Sequence, residues 1–228
     1  MSQSNSNEDS VLSEVRKFAE LVKTAGSLTT DMSPLVECTA SLPLSKFDYW
    51  ERLIRCEFAS SLRPSPPSKW SFRKKPSRLP TWIDLSSGNG FERERTLRSL
   101  TGRAAPNSFF FVLAIRRLND WVPEVRNAAR QTIPDIAKQS NPNHVAEALC
   151  AVLPHWSSWQ RHEESDRNVF FEVLAISAVA HALKNRIVSK SIWGQAFHLS
   201  FWLFSNALTA RLTVEILLPK CTPIFSKV

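Results

Sequence analysis

The stretch Asp120-Trp121-Val122-Pro123-Glu124-Val125-Arg126-Asn127-Ala128-Ala129-Arg130-Gln131-Thr132-Ile133 decides how the fold is read. Asp120 is placed to cap the helix that follows, and Pro123 falls in its first turn, where no intrahelical N–H is required. Val125, Ala129, Ile133 and Ile136 then recur on one face at helical spacing. Just before it, the apolar run Phe109 to Leu118 supplies a first helix across the Asn119-Asp120 turn.

Working outward, the spacing predicts a first helix over Asp9 to Ala25, with Val11, Leu12, Val15, Phe18, Leu21 and Val22 on its apolar side and Gly26 as a stop. A second is predicted over Ser45 to Leu62, with Phe47, Trp50, Leu53, Ile54 and Phe58 inward and Arg63-Pro64 ending it. Beyond the Ser86-Ser87-Gly88-Asn89-Gly90 turn, helices are expected at Phe91 to Thr101, Asn107 to Leu118, Pro123 to Lys138, Pro142 to Leu153, Glu164 to Lys184, Ile192 to Phe204 and Asn206 to Leu218. Equivalent points recur about every 35 to 43 residues, as in solenoids of paired helices.

Residues 107 to 139 resemble one complete HEAT repeat: first helix Phe109 to Leu118, turn Asn119-Asp120, second helix from Pro123. The resemblance implies that Asp120 and Arg126 belong to a polar ladder running within or between repeats. Later units keep the period but lose the pattern, since Phe170 follows Val169 where an arginine is expected. The expected class is therefore all-α, a HEAT-like α-solenoid of antiparallel helix pairs preceded by an N-terminal helical hairpin. Three parts are expected: an N-terminal helical region over 1–62, a basic Pro/Ser-rich linker over 63–83, and the HEAT-like repeat domain over 84–228.

Charge is unevenly placed. The formal net charge is +8, yet residues 1–60 hold 6 basic and 9 acidic groups, whereas 61–83 hold Arg63, Lys69, Arg73, Lys74, Lys75 and Arg78 and no acid. Proline and serine make this segment a poor helix, and Trp70 and Phe72 lie among its cations. A basic strand carrying aromatic rings suits a phosphate backbone or an acidic partner, with Arg73, Lys74 and Lys75 as the contacts. A second basic group, Arg95 and Arg98 beside Arg93 and Arg103, falls on the Phe91 helix, where Phe91, Leu97 and Leu100 are expected to face inward. Glu92, Glu94, Asp120 and Glu124 neutralise part of it.

Signals for chemistry are weak. Cys38, Cys56, Cys150 and Cys221 form no C-x-x-C pair and read as buried, reduced thiols. The five histidines make no ligand spacing, no G-x-S-x-G elbow is present, and five glycines cannot build a phosphate-cradling loop. His162-Glu163-Glu164 reads as a helix start, with the acids at the positive end of the dipole. No catalytic residue, metal or cofactor is assigned. Polar breaks in Ile192 to Leu218 argue against a membrane span, and Met1 to Asp9 lacks the layout of a secretory signal, so the expected address is cytoplasmic.

The loop Pro154-His155-Trp156-Ser157-Ser158-Trp159-Gln160-Arg161 offers the most distinctive candidate site. Trp156 and Trp159 are placed either to form a stacking platform beside Arg161 or to pack between repeats. Trp121, in the preceding turn, is expected on the same edge, because turns of one kind line one side of a solenoid. The sequence favours a non-catalytic scaffold or adaptor that binds a protein partner through Trp121, Trp156, Trp159 and Arg161. The alternative is a HEAT-like nucleic-acid-binding protein, similar to the HEAT-like alkylpurine DNA glycosylases, with Asp120 beside Trp121 as the matching carboxylate. The apolar finish at Leu217-Leu218 and Ile224-Phe225 suggests self-association through the C-terminal end.

Overall fold

The computed structural model describes residues 2–24, 31–63, 79–161 and 163–189. They form nine α-helices and no strand among the described residues: α1 (Ser2–Thr24), α2 (Ser33–Ala40), α3 (Phe47–Ser61), α4 (Gly90–Ser99), α5 (Ser108–Ile115), α6 (Pro123–Gln139), α7 (Pro142–Val152), α8 (Glu164–Leu174) and α9 (Ser177–Ser189). Short 3₁₀ turns precede α3 and α4 and extend α5 and α7. The class is all-α. The expected helices over 192–204 and 206–218, the cations Arg73, Lys74 and Lys75, and the apolar C-terminal end lie outside the described residues. Among the described residues no helix is long and apolar enough to cross a membrane.

Two rows of helices build the body. In one, α4 packs on α6 and α6 on α8; in the other, α5 packs on α7 and α7 on α9. Helices of the second row begin at residues 108, 142 and 177, steps of 34 and 35 residues. α5 is the central element. Every residue from Ser108 to Ile115 is buried, which its sequence Ser-Phe-Phe-Phe-Val-Leu-Ala-Ile permits on all sides. Its N-cap Asn107 accepts from the Phe110 amide at 3.1 Å and donates to the Val36 carbonyl and Thr39 Oγ1, both at 2.9 Å. One side chain thereby starts α5 and ties it to α2.

The face read for α6 is the face it buries: Val125, Ala129, Ile133 and Ile136 are in the core, joined by Ala128, Thr132 and Ala137. α1 and α3 pack together through Val11, Val15, Phe18, Trp50, Ile54 and Phe58, and the core is continuous from Val11 to Leu183. The short helix α2 was not expected; eight residues give too few turns for a period, and its only signals are Pro34 in the first turn and Leu35 with Thr39 on one side.

Three expectations need correction. The helix predicted over 164–184 is two helices, broken at Ala175-Ile176 without glycine or proline. The break is tertiary, because α8 packs on α6 and α9 packs on α7, and the chain must cross from one row to the other between them. On α4, Phe91 is 83% exposed and Arg93 is buried. At 3.6 residues per turn these positions lie roughly 160° apart, so seating Arg93, Leu97 and Leu100 turns Phe91 outward. The thiols are not buried as expected: Cys56 is exposed, Cys38 and Cys150 are half-buried, and Cys221 lies outside the described residues. Burial holds the Cys38 thiol at about 11, which makes it a poor nucleophile.

Glycine matters at two places. A Cβ on Gly90 would sit 2.9 Å from Val122 Cγ2, so the start of α4 is pressed against the turn before α6. Gly102, at φ +72°, takes the left-handed conformation beyond the end of α4.

Candidate functional site

The turns leading from the α5 row into the α6 row share one edge of the molecule, and the candidate residues gather there. The first turn holds residues 116–122 and the second 153–161 with Glu163. They touch: the Arg161 amide donates to Asn119 Oδ1 at 3.1 Å, and Arg126 Nη2 lies 3.6 Å from Glu163 Oε1.

Asp120 is the organising residue of the first turn. Its side chain is 2% exposed and receives Arg93 Nε at 2.8 Å, Arg93 Nη2 at 2.7 Å, Arg117 Nη1 at 3.3 Å and the Val122 amide at 3.0 Å. Arg117 continues to Glu51 on α3, so a chain of four charges, buried at Arg93 and Asp120 and part-buried at Arg117, links α4, the turn and the N-terminal helices. Asp120 does not cap α6; the N-cap is Val122, which has no capping side chain, and the carboxylate closes the turn two residues earlier in the chain. Arg126 joins only through the Asp120 carbonyl, at 3.0 Å.

A corresponding rung follows. Arg130 Nε donates to Asp166 Oδ1 at 2.6 Å and Arg130 Nη2 lies 3.0 Å from Glu163. Glu163 and Asp166 form a capping box at the start of α8, and the Asp166 side chain is fully buried. The hydrogen bonds from Arg130 hold the Glu163 carboxyl below its ordinary value, and those to Asp166 raise Arg130. Glu163 at the helix start matches the reading of His162-Glu163-Glu164. Parallel to these rungs, Ser108 Oγ donates to Glu147 at 2.6 Å and Arg186 reaches Glu147 at 2.5 Å, linking α5, α7 and α9.

The aromatics divide sharply. Trp121 is 66% exposed, with the Arg93 guanidinium 5.8 Å from its ring centroid. Trp156 and Trp159 are buried, 2% and 3% exposed, so an open stacking platform is not formed. Their rings meet at 4.8 Å between centroids, and Trp156 meets Phe170 edge-on at 4.6 Å. The 3₁₀ stretch 153–158 brings Trp156 against Phe170 of α8, and Trp159, its C-cap, packs on Trp156. Trp159 keeps one link to the surface, the Arg116 guanidinium 5.7 Å from its ring centroid. Arg161 is exposed, as are Arg95 and Arg98, and Arg98 pairs with Glu94 at 3.0 Å. Phe91 completes the exposed set; sequence reasoning misplaced it because the buried arginine that turns it outward leaves no apolar period.

No group of acids, histidines and cysteines suited to a metal occurs among the described residues. No family model, no curated protein and no solved structure matches the chain.

Proposed function

We propose that this chain is a non-catalytic helical-repeat scaffold, HEAT-like in organisation, that binds a protein partner along the edge of inter-helix turns. Row packing supports the solenoid part of this reading, since each helix from α4 to α7 contacts the helix two places further on. The ladder supports the HEAT-like part: arginines of one helix, Arg93 and Arg130, reach aspartates at the start of the next helix in the same row. In this reading α5 with α6 and α7 with α8 are successive antiparallel pairs, with α4 and α9 belonging to incomplete neighbours.

The observation that carries the binding reading is the outward position of Trp121 and Phe91 beside the buried Arg93–Asp120 pair. Large aromatics placed in solvent beside arginine are what interface hot spots are made of. The first turn of α4, carrying Phe91, is fixed against Val122, next to Trp121, so the two rings are presented by rigid backbone. A photo-crosslinking residue placed at 121, 91 or 161 in the full chain is expected to trap one partner, and the same residue at exposed Lys138 is expected to trap none. Equal trapping at all four positions would contradict a defined edge.

For the nucleic-acid alternative, Asp120 offers little: it is enclosed and already accepts four hydrogen bonds, leaving no lone pair for a base in an open groove. Residues 79–189 carry 13 basic and 11 acidic side chains, so this body has no large cationic excess of its own. Salt-dependent DNA binding by the full chain would have to come from 63–78 or 190–228.

A further inference from the structure

A cleft of about 390 Å³ opens where the first turn of α3 meets the C-terminal ends of α5 and α7. That volume lies within the range of small-ligand sites, about 300–1,000 Å³. Val112, Val152 and Trp159 give it an apolar side, and Lys46, Arg116 and His155 give it a basic one. Among the described residues that line it, Asp48 is the sole acid.

Arg116 is built as a carboxylate receptor. Its guanidinium lies over the Trp159 ring, 5.7 Å from the centroid, and that ring is fixed from behind by Trp156. A cation–π contact with a buried indole restrains the guanidinium at the wall of the cleft that it lines. Arg116 Nη2 donates to Asp48 Oδ1 at 2.5 Å. The Asp48 side chain is 75% exposed and Arg116 28%. A pair with so exposed a partner contributes little net free energy, so Asp48 yields readily to a better carboxylate. The neighbouring Arg117 is the opposite case, enclosed between Glu51 and Asp120 with nothing to exchange.

The geometry points to a binding cleft for an organic carboxylate with an apolar body. Arg116, beside Trp159, takes the carboxylate in place of Asp48, Lys46 adds positive charge, and the body lies against Leu44 and Ala151, the half-buried apolar residues of the lining. The inference stands apart from the partner reading, because the acid can be free in solution or borne on a peptide side chain.

The test uses the full chain at low ionic strength, with 4-phenylbutyrate and its neutral counterpart 4-phenylbutyramide titrated by calorimetry or by NMR of the backbone amides. The acid is expected to bind about tenfold more tightly than the amide, the size of one charge-assisted hydrogen bond. Arg116→Gln is expected to abolish that preference. Asp48→Asn, a change at an exposed site that leaves the fold intact, is expected to strengthen acid binding severalfold by removing the internal competitor. A second arm compares acetyl-Phe-Glu-Phe-amide with its Gln form: tighter binding of the Glu peptide than of phenylbutyrate assigns the carboxylate to a partner's side chain, and the reverse order assigns it to a free acid. Equal affinity for acid and amide would overturn the proposal, as would weaker or unchanged acid binding in Asp48→Asn.

Discussion

The two turns that join the rows solve the same problem in opposite ways. In the turn before α6, a carboxylate is taken inside and the tryptophan beside it is thrown out: Asp120 is buried under Arg93 and Arg117, and Trp121 stands in solvent. In the longer turn before α8, the tryptophans go inside, and the buried carboxylate, Asp166, sits one helical turn later in the chain. A turn over this edge must therefore fill the space beneath it, and either charge pairs or indoles do so. The tryptophan left over, Trp121, is the one that stands in solvent.

Removing the filler should separate the turns most strongly. Asp120→Ala leaves the buried Arg93 guanidinium without its carboxylate and removes one of the two that hold Arg117, which keeps Glu51, and a loss of about 3–5 kcal/mol is expected in urea denaturation. Trp156→Ala empties the equivalent space under the second turn and should cost a similar amount, about 3–5 kcal/mol. If Trp156→Ala cost under about 1 kcal/mol, the indole would not be the filler.

Arg130→Ala should cost less, about 1–3 kcal/mol, since Asp166 keeps its bond from the Glu163 amide at 2.6 Å. Acid titration sharpens the difference between rungs. Glu163 is depressed in the folded protein, so the unfolded chain binds its proton first; its contribution is present above the ordinary value of 4.5 and is lost as pH falls through the lowered one. Glu163→Gln should flatten the stability profile over that interval in pH-dependent denaturation, and an unchanged profile would mean that its pairing with Arg130 is idle. Trp121→Ala is expected to shift stability by no more than about 0.5 kcal/mol, as surface changes usually do.

How far this was legible in the sequence follows from the kind of signal each part leaves. α6 was readable because its buried face repeats at 3.6 residues and Pro123 marks its start. α1 and α3 were readable for the same reason. The division of 164–189 was not, because the break at Ala175-Ile176 comes from packing in two rows and not from a breaker residue. A polar ladder was expected at Asp120 and Arg126; the Asp120 carboxylate takes Arg93, 27 residues away, and Arg117, while Arg126 reaches the Asp120 carbonyl and Glu163. Burial of a guanidinium is a property of its distant partner, and α4 carries no local mark of it.

For the candidate site, the sequence placed Trp121, Trp156, Trp159 and Arg161 on one edge, and the contact between Asn119 and Arg161 joins their turns. It left open whether Trp156 and Trp159 face out or in, since an indole fits both. The 3₁₀ turn that decides the matter depends on Phe170 being there to receive Trp156. The Arg116 cleft had no signature, because its walls come from α3, α5 and α7, which meet only in the folded chain.

Equilibrium denaturation of Asp120→Ala and Trp121→Ala, two adjacent residues changed one at a time, tests most directly whether this edge is a rigid frame carrying a free aromatic. The account predicts a drop of about 3–5 kcal/mol for the first and no more than about 0.5 kcal/mol for the second. The opposite order, or equal losses at both positions, would contradict it.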